Sequence, residues 1–270
     1  MKKSKSGEEI SIDPLVFNYT IGIVIPVYQK KYIRNLVKQI FKTVSRKDFC
    51  ICIVNDGNSA VKEYLAKYNW PVNIEILNLS KNGGFAAANN LGWKFLSKKY
   101  PTINYLGTLN DDTIPHKNWL DNIVIALENN PNIAMAAPIQ VIRNGWFGQK
   151  QEYAVFRLGN ANLPWVPKLD EITKDTFVPA VSGFCFVANK KALEVVEYFD
   201  EIFMNSGEDL DLCLKMITNG WHIIVCKDSR VFHYGGSSRY LSNAKISGYE
   251  KIITERWGFD LSCYNKLLIE

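Results

Sequence analysis

No apolar run in this chain reaches the ~18 residues that a membrane-spanning helix needs, so no stretch reads as a span. No C-x-x-C pair occurs among its six cysteines, and no cysteine–histidine spacing suits zinc. Cys50 and Cys52 alternate along one strand face and read as core, which points to free buried thiols in a reducing cytoplasm. An excess of one charge is also missing. The net charge of +5 is too small to argue for nucleic acid. It suits a modestly basic surface that can meet acidic substrates or a membrane face. The basic start, Met1 to Ser6, has no apolar stretch behind it and does not read as a secretory signal. There is no internal repeat and no low-complexity segment. No G-x-G-x-x-G follows the first strand, no P-loop is present, and Ser182-Gly183 lacks the nucleophile-elbow pattern. Dinucleotide-dependent redox chemistry, P-loop phosphoryl transfer and serine hydrolysis are thereby disfavoured.

What is present is enough apolar material, 47% of 270 residues, for one large domain or two small ones. Ile21–Ile25 is a β-branched run ended by Pro26-Val27-Tyr28. Tyr32, Ile33, Leu36, Val37, Ile40, Phe41 and Val44 then recur at helical spacing. Strands follow at 49–54, 74–77 and 105–109, with helices near 59 and from 85 to about 96. Later come a helix over 119–129, strands at 133–137 and 181–187, and a helix over 190–198. A second amphipathic helix follows 207–209, then strands at 221–225 and 231–232, and a tail helical through Trp257. Residues 143–176 lose periodicity and read as functional loops or added hairpins. Strands alternating with helices predict an α/β fold with a mostly parallel, doubly wound sheet and helices on both faces. The expected organisation is an irregular arm over 1–18, one domain over 19–238, and a helical tail over 239–270. Within the domain, 19–115 is the nucleotide-binding half and 116–238 the opposing, acceptor half.

The stretch richest in chemistry is Asn110-Asp111-Asp112-Thr113, at the end of the 105–109 strand. Open parallel sheets bind ligands at such ends. Adjacent carboxylates repel, and a hard divalent cation such as Mg²⁺ or Mn²⁺ removes that cost. The competing reading is a solvated turn in which Asn110 or Asp112 caps a helix, with Pro115 blocking further strand pairing. Pro26, Val27, Tyr28, Asp56, Gly83, Gly84 and Asn89 also follow strands on that edge. Tyr28 suits stacking on a base, Asp56 accepting from a ring N–H, and the glycines close approach to phosphate beside a helix N-terminus. Taken singly, each also fits ordinary loop packing. Glu208-Asp209 opens an amphipathic helix, where acids favour the first turn anyway. Inward placement would make Asp209 a general base. His233 is either a packed core histidine or, with the two acids, a metal ligand. His116 and His222 have no acidic neighbours and read as structural.

Taken in order, Ile23-Val24-Ile25-Pro26-Val27-Tyr28, Val54-Asn55-Asp56-Gly57, Asn82-Gly83-Gly84-Phe85-Ala86-Ala87-Ala88-Asn89-Asn90-Leu91-Gly92, Asn110-Asp111-Asp112, Gly207-Glu208-Asp209-Leu210-Asp211 and His233 form a recognisable series. The chain resembles family 2 glycosyltransferases of the GT-A fold, and within them the rhamnosyltransferase-type branch that builds bacterial surface polysaccharides. The resemblance runs from about Ile21 to Ser238, and Arg256-Trp257-Gly258 is also similar to that branch.

It implies an inverting transferase that moves a sugar from a nucleotide-sugar, dTDP-rhamnose or a UDP-hexose, to a glycan or lipid-linked glycan. It implies a divalent cation, Mn²⁺ or Mg²⁺, and work in the cytoplasm, peripherally at the inner membrane face. By the same resemblance Pro26, Val27, Tyr28 and Asp56 hold the base. Gly84 and Asn89 lie beside the ribose and diphosphate. Asn110-Asp111-Asp112 stands at the family's D-x-D region, with Asp111 near the ribose and Asp112 on the metal. His233 is a second ligand and Asp209 the base. Asn110 replaces the first acid of that region, which leaves one carboxylate fewer for the cation. Trp146, Phe147, Tyr153, Trp165 and Glu208 are candidates for an acceptor platform. A sugar nucleotidyltransferase and a catalytically silent relative are the alternatives. The first would want a glycine-rich basic loop where this chain has Pro26-Val27-Tyr28.

Overall fold

The computed structural model describes residues 18–143, 150–153, 172–203, 206–234 and 249–257. The expected arm, Trp146, Phe147, Trp165 and the first part of the tail lie outside these residues, as does the side chain of Tyr153.

The first half follows the sequence closely. Strands β1 (Ile21–Val27), β2 (Phe49–Asn55), β3 (Ile74–Asn78) and β4 (Tyr105–Leu109) alternate with helices α1 (Ile33–Thr43), α2 (Ser59–Ala66) and α3 (Gly84–Lys99). All four strands are mutually parallel, in the order β3-β2-β1-β4. The second half contains β5 (Thr113–Pro115), α4 (Trp119–Asn129), β6 (Ile133–Arg143), β7 (Lys150–Tyr153), β8 (Thr176–Phe177), β9 (Cys185–Asn189), α5 (Lys190–Val195), α6 (Glu208–Thr218), β10 (His222–His233) and α7 (Tyr249–Trp257). It extends the same sheet through β9, β6, β10 and β5. β9 runs antiparallel to both β4 and β6, while β10 is parallel to β6. β1, β2, β3, β4, β6 and β10 therefore share one direction, so their carboxyl ends lie along one edge.

Period-2 alternation sends side chains to opposite faces and divides the core in two. Ile21, Ile23, Ile25 and Val27 pack with α1, α2 and α4. Val24, Cys50, Cys52 and Val54 pack with α3 and α6 on the other face. The described cysteines, Cys50, Cys52, Cys185, Cys213 and Cys226, are free and buried.

Several expectations need correction. Pro26 does not end β1. The strand continues to Val27 paired with β2 alone, because pairing with β4 stops at Val24 and leaves no partner on the side where proline lacks a donor. Pro115 does not prevent pairing either, since β5 is a short edge strand against Val231–His233. Neither Asn110 nor Asp112 caps a helix; the residue before α4 is Asn118. The 181–187 strand lies later, at Cys185–Asn189, and leaves 181–184 irregular. The two strands expected at 221–225 and 231–232 are one, with an irregularity between Cys226 and Arg230. Phe41 stays substantially exposed, against Phe49.

Helix α3 presses on the sheet at Gly92, where an added Cβ would lie 2.6 and 2.8 Å from the two Val24 methyls. Helix propensity alone would make Gly92→Ala stabilising by about 1 kcal/mol. Overpacking a tight core costs about 1–3 kcal/mol, so the clash wins. Gly92→Ala should lower stability by about 1 kcal/mol or more in denaturant melts, and a more stable variant would show that α3 can slide off the sheet.

Candidate active site

The strand-end edge collects nearly every residue singled out from the sequence. Asp56 follows β2, and its backbone N–H donates to Val27 O of the neighbouring strand at 2.9 Å. Its carboxylate accepts from Gly83 N at 2.7 Å and Gly84 N at 3.2 Å. Asp56 thus ties the loop that opens α3 to the ends of β1 and β2. Burial raises its pKa, and the two glycine amides oppose that rise without cancelling it. Asn58 caps α2 and donates from its side chain to Tyr28 O at 2.9 Å, fixing the turn after β1. Asn89 is fully buried in α3, where its amide donates to Phe85 O at 2.9 Å and its oxygen finds no hydrogen-bond partner.

Past β4, Asn110 N donates to Phe184 O at 2.8 Å, which locks the strand end to the segment entering β9. Asp111 is buried and one of its oxygens has no hydrogen-bond partner. Burial, with the neighbouring charge of Asp112 adding to it, pushes the Asp111 carboxyl up to about 8. Asp112 turns towards the end of β10. Its Oδ1 lies 3.1 Å from Nε2 of His233, and its carbonyl accepts from Tyr234 N at 3.0 Å. The imidazole is fixed from three sides. Nδ1 is 2.9 Å from Gln140 Nε2, Nε2 is 3.3 Å from Asn110 Nδ2, and the Phe184 ring stacks on it at 5.0 Å.

The third component is the first turn of α6. Asp209 is buried and faces the sheet. Its Oδ2 accepts from Gly183 N at 2.9 Å and its Oδ1 from its own helix at Leu210 N, also 2.9 Å. Gly183 lies close to its neighbours: a Cβ there would be 3.1 Å from the Phe85 ring, which would have to shift slightly, and in ordinary contact with Asp209 Cβ at 3.5 Å. Glu208 is buried beside it. Gly183 and Phe184 are adjacent in the chain, so Asp209, Asn110 and His233 all gather on one short segment. A carboxylate is thereby linked through one short segment to a carboxylate–imidazole pair, with the loops at the ends of β1, β2 and β4 on the same edge of the sheet.

Gln140 and the Ser182–Phe184 segment were missed from sequence. A lone Gln inside the apolar strand 133–143 was the available signal for the first. The second lay inside a run read as strand. Trp146 and Trp165 fall outside the described residues, so no geometry bears on an acceptor platform there.

The profile described as Glycosyl transferase family 2 matches residues 22–196, from β1 through α5. This chain belongs to that family. Glu208, Asp209 and His233 lie beyond the matched segment. The chain is 26% identical over 205 residues to a pre-mycofactocin glycosyltransferase of Mycobacterium tuberculosis, in two strains of that organism. That alignment takes in 74% of this chain and only 39% of the relative, so this glycosyltransferase chain spans well under half of those proteins. Among solved structures it is similar to GalNAc-T7 crystallised with UDP, GalNAc and Mn²⁺, with a TM-score of 0.67, 16% identity, and coverage of 87% of this chain and 48% of that one. It is also similar to residues 1–349 of S. aureus TarS, with a TM-score of 0.58, 17% identity, and coverage of 92% and 69%. At such identities the likeness establishes the GT-A fold alone. Neither the profile nor these relatives distinguishes a rhamnosyltransferase branch.

The raised pKa of Asp56 has a consequence for stability. Above the ordinary carboxylate value of 3.8 the unfolded chain releases this proton while the folded protein still holds it. The contribution of Asp56 therefore falls as pH rises through that window. Asn keeps an oxygen for the Gly83 amide and removes the titration. The stability of Asp56→Asn relative to wild type should thus improve as pH rises above the ordinary carboxylate value of 3.8. A pH-independent difference in melts of the two proteins would contradict the assignment.

Proposed function

We propose that this family 2 glycosyltransferase moves a hexosyl or rhamnosyl unit from a nucleotide-sugar to a hydroxyl of a glycan or lipid-linked glycan acceptor, with inversion. The observation that carries the reading is that Asp209 and the Asp112–His233 pair are joined through the adjacent residues Gly183 and Phe184. Val27, Tyr28 and Asp56 are proposed to hold the base. Pro26 sets the backbone beneath it, and Gly84, Asn89, Asn110 and Asp111 line the path to ribose and diphosphate. Residues 19–115 would then form the donor half and 116–238 the acceptor half, with Glu208 beside the acceptor.

A divalent cation fits the donor set. Asp112 Oδ1 and His233 Nε2 are 3.1 Å apart, close to the edge of about 3 Å in an octahedron with arms of about 2.1 Å. Carboxylate and imidazole together suit Mn²⁺, and carboxylate alone suits Mg²⁺. Among the described residues no group of three or more His, Cys, Asp or Glu side chains surrounds one point. The remaining positions would accordingly fall to water and diphosphate oxygens. When bound, the cation would neutralise charge gathering on the departing diphosphate.

The protein's own part follows from its geometry. Asp209 accepts the proton of the acceptor hydroxyl as that oxygen bonds to the anomeric carbon. The bond from that carbon to the diphosphate oxygen breaks on the opposite face, and its electron pair leaves with the nucleoside diphosphate. The reacting carbon passes through an oxocarbenium-like state, as in glycoside hydrolysis. Gly183 N–H and Leu210 N–H, one on each oxygen, hold the Asp209 carboxylate in a fixed orientation. The Phe184 ring and Gln140 keep His233 oriented towards Asp112. Buried free thiols support action in a reducing compartment. Among the described residues no helix is long and apolar enough to cross a membrane, so attachment at a membrane face, if it occurs through these residues, is peripheral.

Calorimetry with UDP and dTDP should show binding in Mn²⁺ that is lost on chelation and restored by added metal. Equal affinity without metal would remove Asp112 and His233 from the donor site.

Asp209→Asn keeps the shape and the acceptor for Gly183 N–H, and gives up only the local one for Leu210 N–H. It should leave melting temperature and donor affinity near wild type while turnover falls about 10²-fold or more, the scale of losing a positioned base. Were Asp209 only a helix cap, the change would cost at most about 1 kcal/mol of stability and spare turnover. Normal kcat in this variant would exclude Asp209 as the base.

A further inference from the structure

Asp211 has no part in the chemistry proposed above, yet it is fully buried two residues beyond Asp209 in the first turn of α6. A carboxylate in that position is destabilising unless its charge is answered. The answer comes mostly from α7. Arg256 Nη1 donates to Asp211 Oδ1 at 2.9 Å, and Trp257 Nε1 donates to the same oxygen at 3.2 Å. Lys215 Nζ, one turn along α6, lies 3.1 Å from Oδ2. The other arm of the guanidinium, Nη2, donates to Asp200 Oδ2 at 2.7 Å, and the group sits over the Phe203 ring at 5.4 Å. Burial works against the charge of Asp200, but the Ile202 amide and Arg256 together hold its carboxyl below the ordinary value. Ile253 of α7 is completely buried in the core beneath α6.

One planar fork therefore grips both ends of the connection into α6: Asp200 before it and Asp211 after it. Gly183 holds the opposite side of the same helical turn through Asp209. The turn that carries Glu208 and Asp209 is pinned between α7 and the sheet. Lysine cannot reproduce this, because a single ammonium does not present two fixed, divergent donors in one plane.

We infer that Arg256 is a positioning residue for glycosyl transfer: by bridging Asp200 and Asp211 it fixes the first turn of α6, and with it the direction in which Asp209 meets the acceptor hydroxyl. The inference rests on Asp209 being the base. Arg256 touches neither donor nor acceptor in this scheme. Its loss should therefore act on the acceptor step and spare the base pocket and the Asp112–His233 pair, which stand on other elements.

The test uses the full chain with Arg256→Ala, Arg256→Lys and Asp200→Asn. Expected for Arg256→Ala are a UDP or dTDP affinity within about twofold of wild type and a kcat lower by about 10²-fold, the scale of a small misplacement at the reacting groups. Millimolar guanidinium should restore part of that kcat in Arg256→Ala and do nothing for wild type. Arg256→Lys and Asp200→Asn, each of which removes one arm of the bridge, should lie between. Hydrogen exchange supplies a readout independent of activity, with faster exchange at amides 208–211 in Arg256→Ala and unchanged exchange in β1 and β2. Should Arg256→Ala fail to fold, the two milder variants decide, and full kcat in both overturns the inference. So does normal kcat in folded Arg256→Ala, or unchanged exchange at 208–211. Loss of donor affinity in parallel with kcat also overturns it, because Arg256 would then act through general stability. If wild type transfers no sugar, the functional reading has failed, and the exchange result alone decides whether Arg256 fixes the turn.

Discussion

Asp56, Asp111, Asp112, Glu208, Asp209 and Asp211 are almost entirely withdrawn from water near one end of the sheet. A buried carboxylate costs several kcal/mol unless hydrogen bonds or an opposite charge compensate it. The local architecture is the set of answers to that cost. Asp56 takes two glycine amides, Asp209 takes Gly183, Asp112 takes His233, and Asp211 takes Arg256 and Lys215. Each answer ties together elements distant in the chain. Asp111 keeps a buried oxygen without a hydrogen-bond partner, and its carboxyl is pushed up to about 8. A buried acid with one unpartnered oxygen next to a carboxylate–imidazole pair is the kind of stored cost that a bound cationic or hydrogen-bonding ligand relieves.

Rigidity and reactivity are divided among these groups by the type of partner. Asp56 and Asp211 are committed to holding loops and helices in place. Asp209 accepts from the backbone N–H groups of Gly183 and Leu210, one on each oxygen, which fixes the plane of its carboxylate. His233 is held by a ring, two amides and a carboxylate, which restrict its rotation and leave its Nε2 edge towards Asp112 and Asn110. The same sheet edge thus contains both the frame and the groups proposed to react.

The antiparallel strand β9 makes this possible. By entering the sheet between β4 and β6 in the reverse direction, it brings its amino end to the edge where the parallel strands end. Gly183 and Phe184 then stand between Asn110 and Asp209. A wholly parallel sheet would have placed a strand start at the opposite edge and left α6 without its link to Asn110 and His233.

Local patterns were enough for much of this. Alternation of apolar strands with amphipathic helices specified the parallel first half nearly residue by residue, because burial on both faces leaves β-branched runs that few other structures accommodate. The strand-end acids were legible for the same reason: position along a strand determines the edge at which a following residue emerges. The reversal of β9, the pairing of Pro115 at an edge, the tilt of Gln140 onto His233 and the grip of Arg256 on Asp211 were not legible. Each depends on which elements lie side by side, and on contacts between residues far apart in the chain, from 45 positions for Arg256 and Asp211 to 93 for Gln140 and His233, and more for Pro115 and Val231. Such contacts leave no periodic trace in the chain. The sequence by itself determined the family, the sheet-forming half and the acids; only the tertiary structure decided their partners, because desolvation makes a carboxylate need a partner without specifying which one.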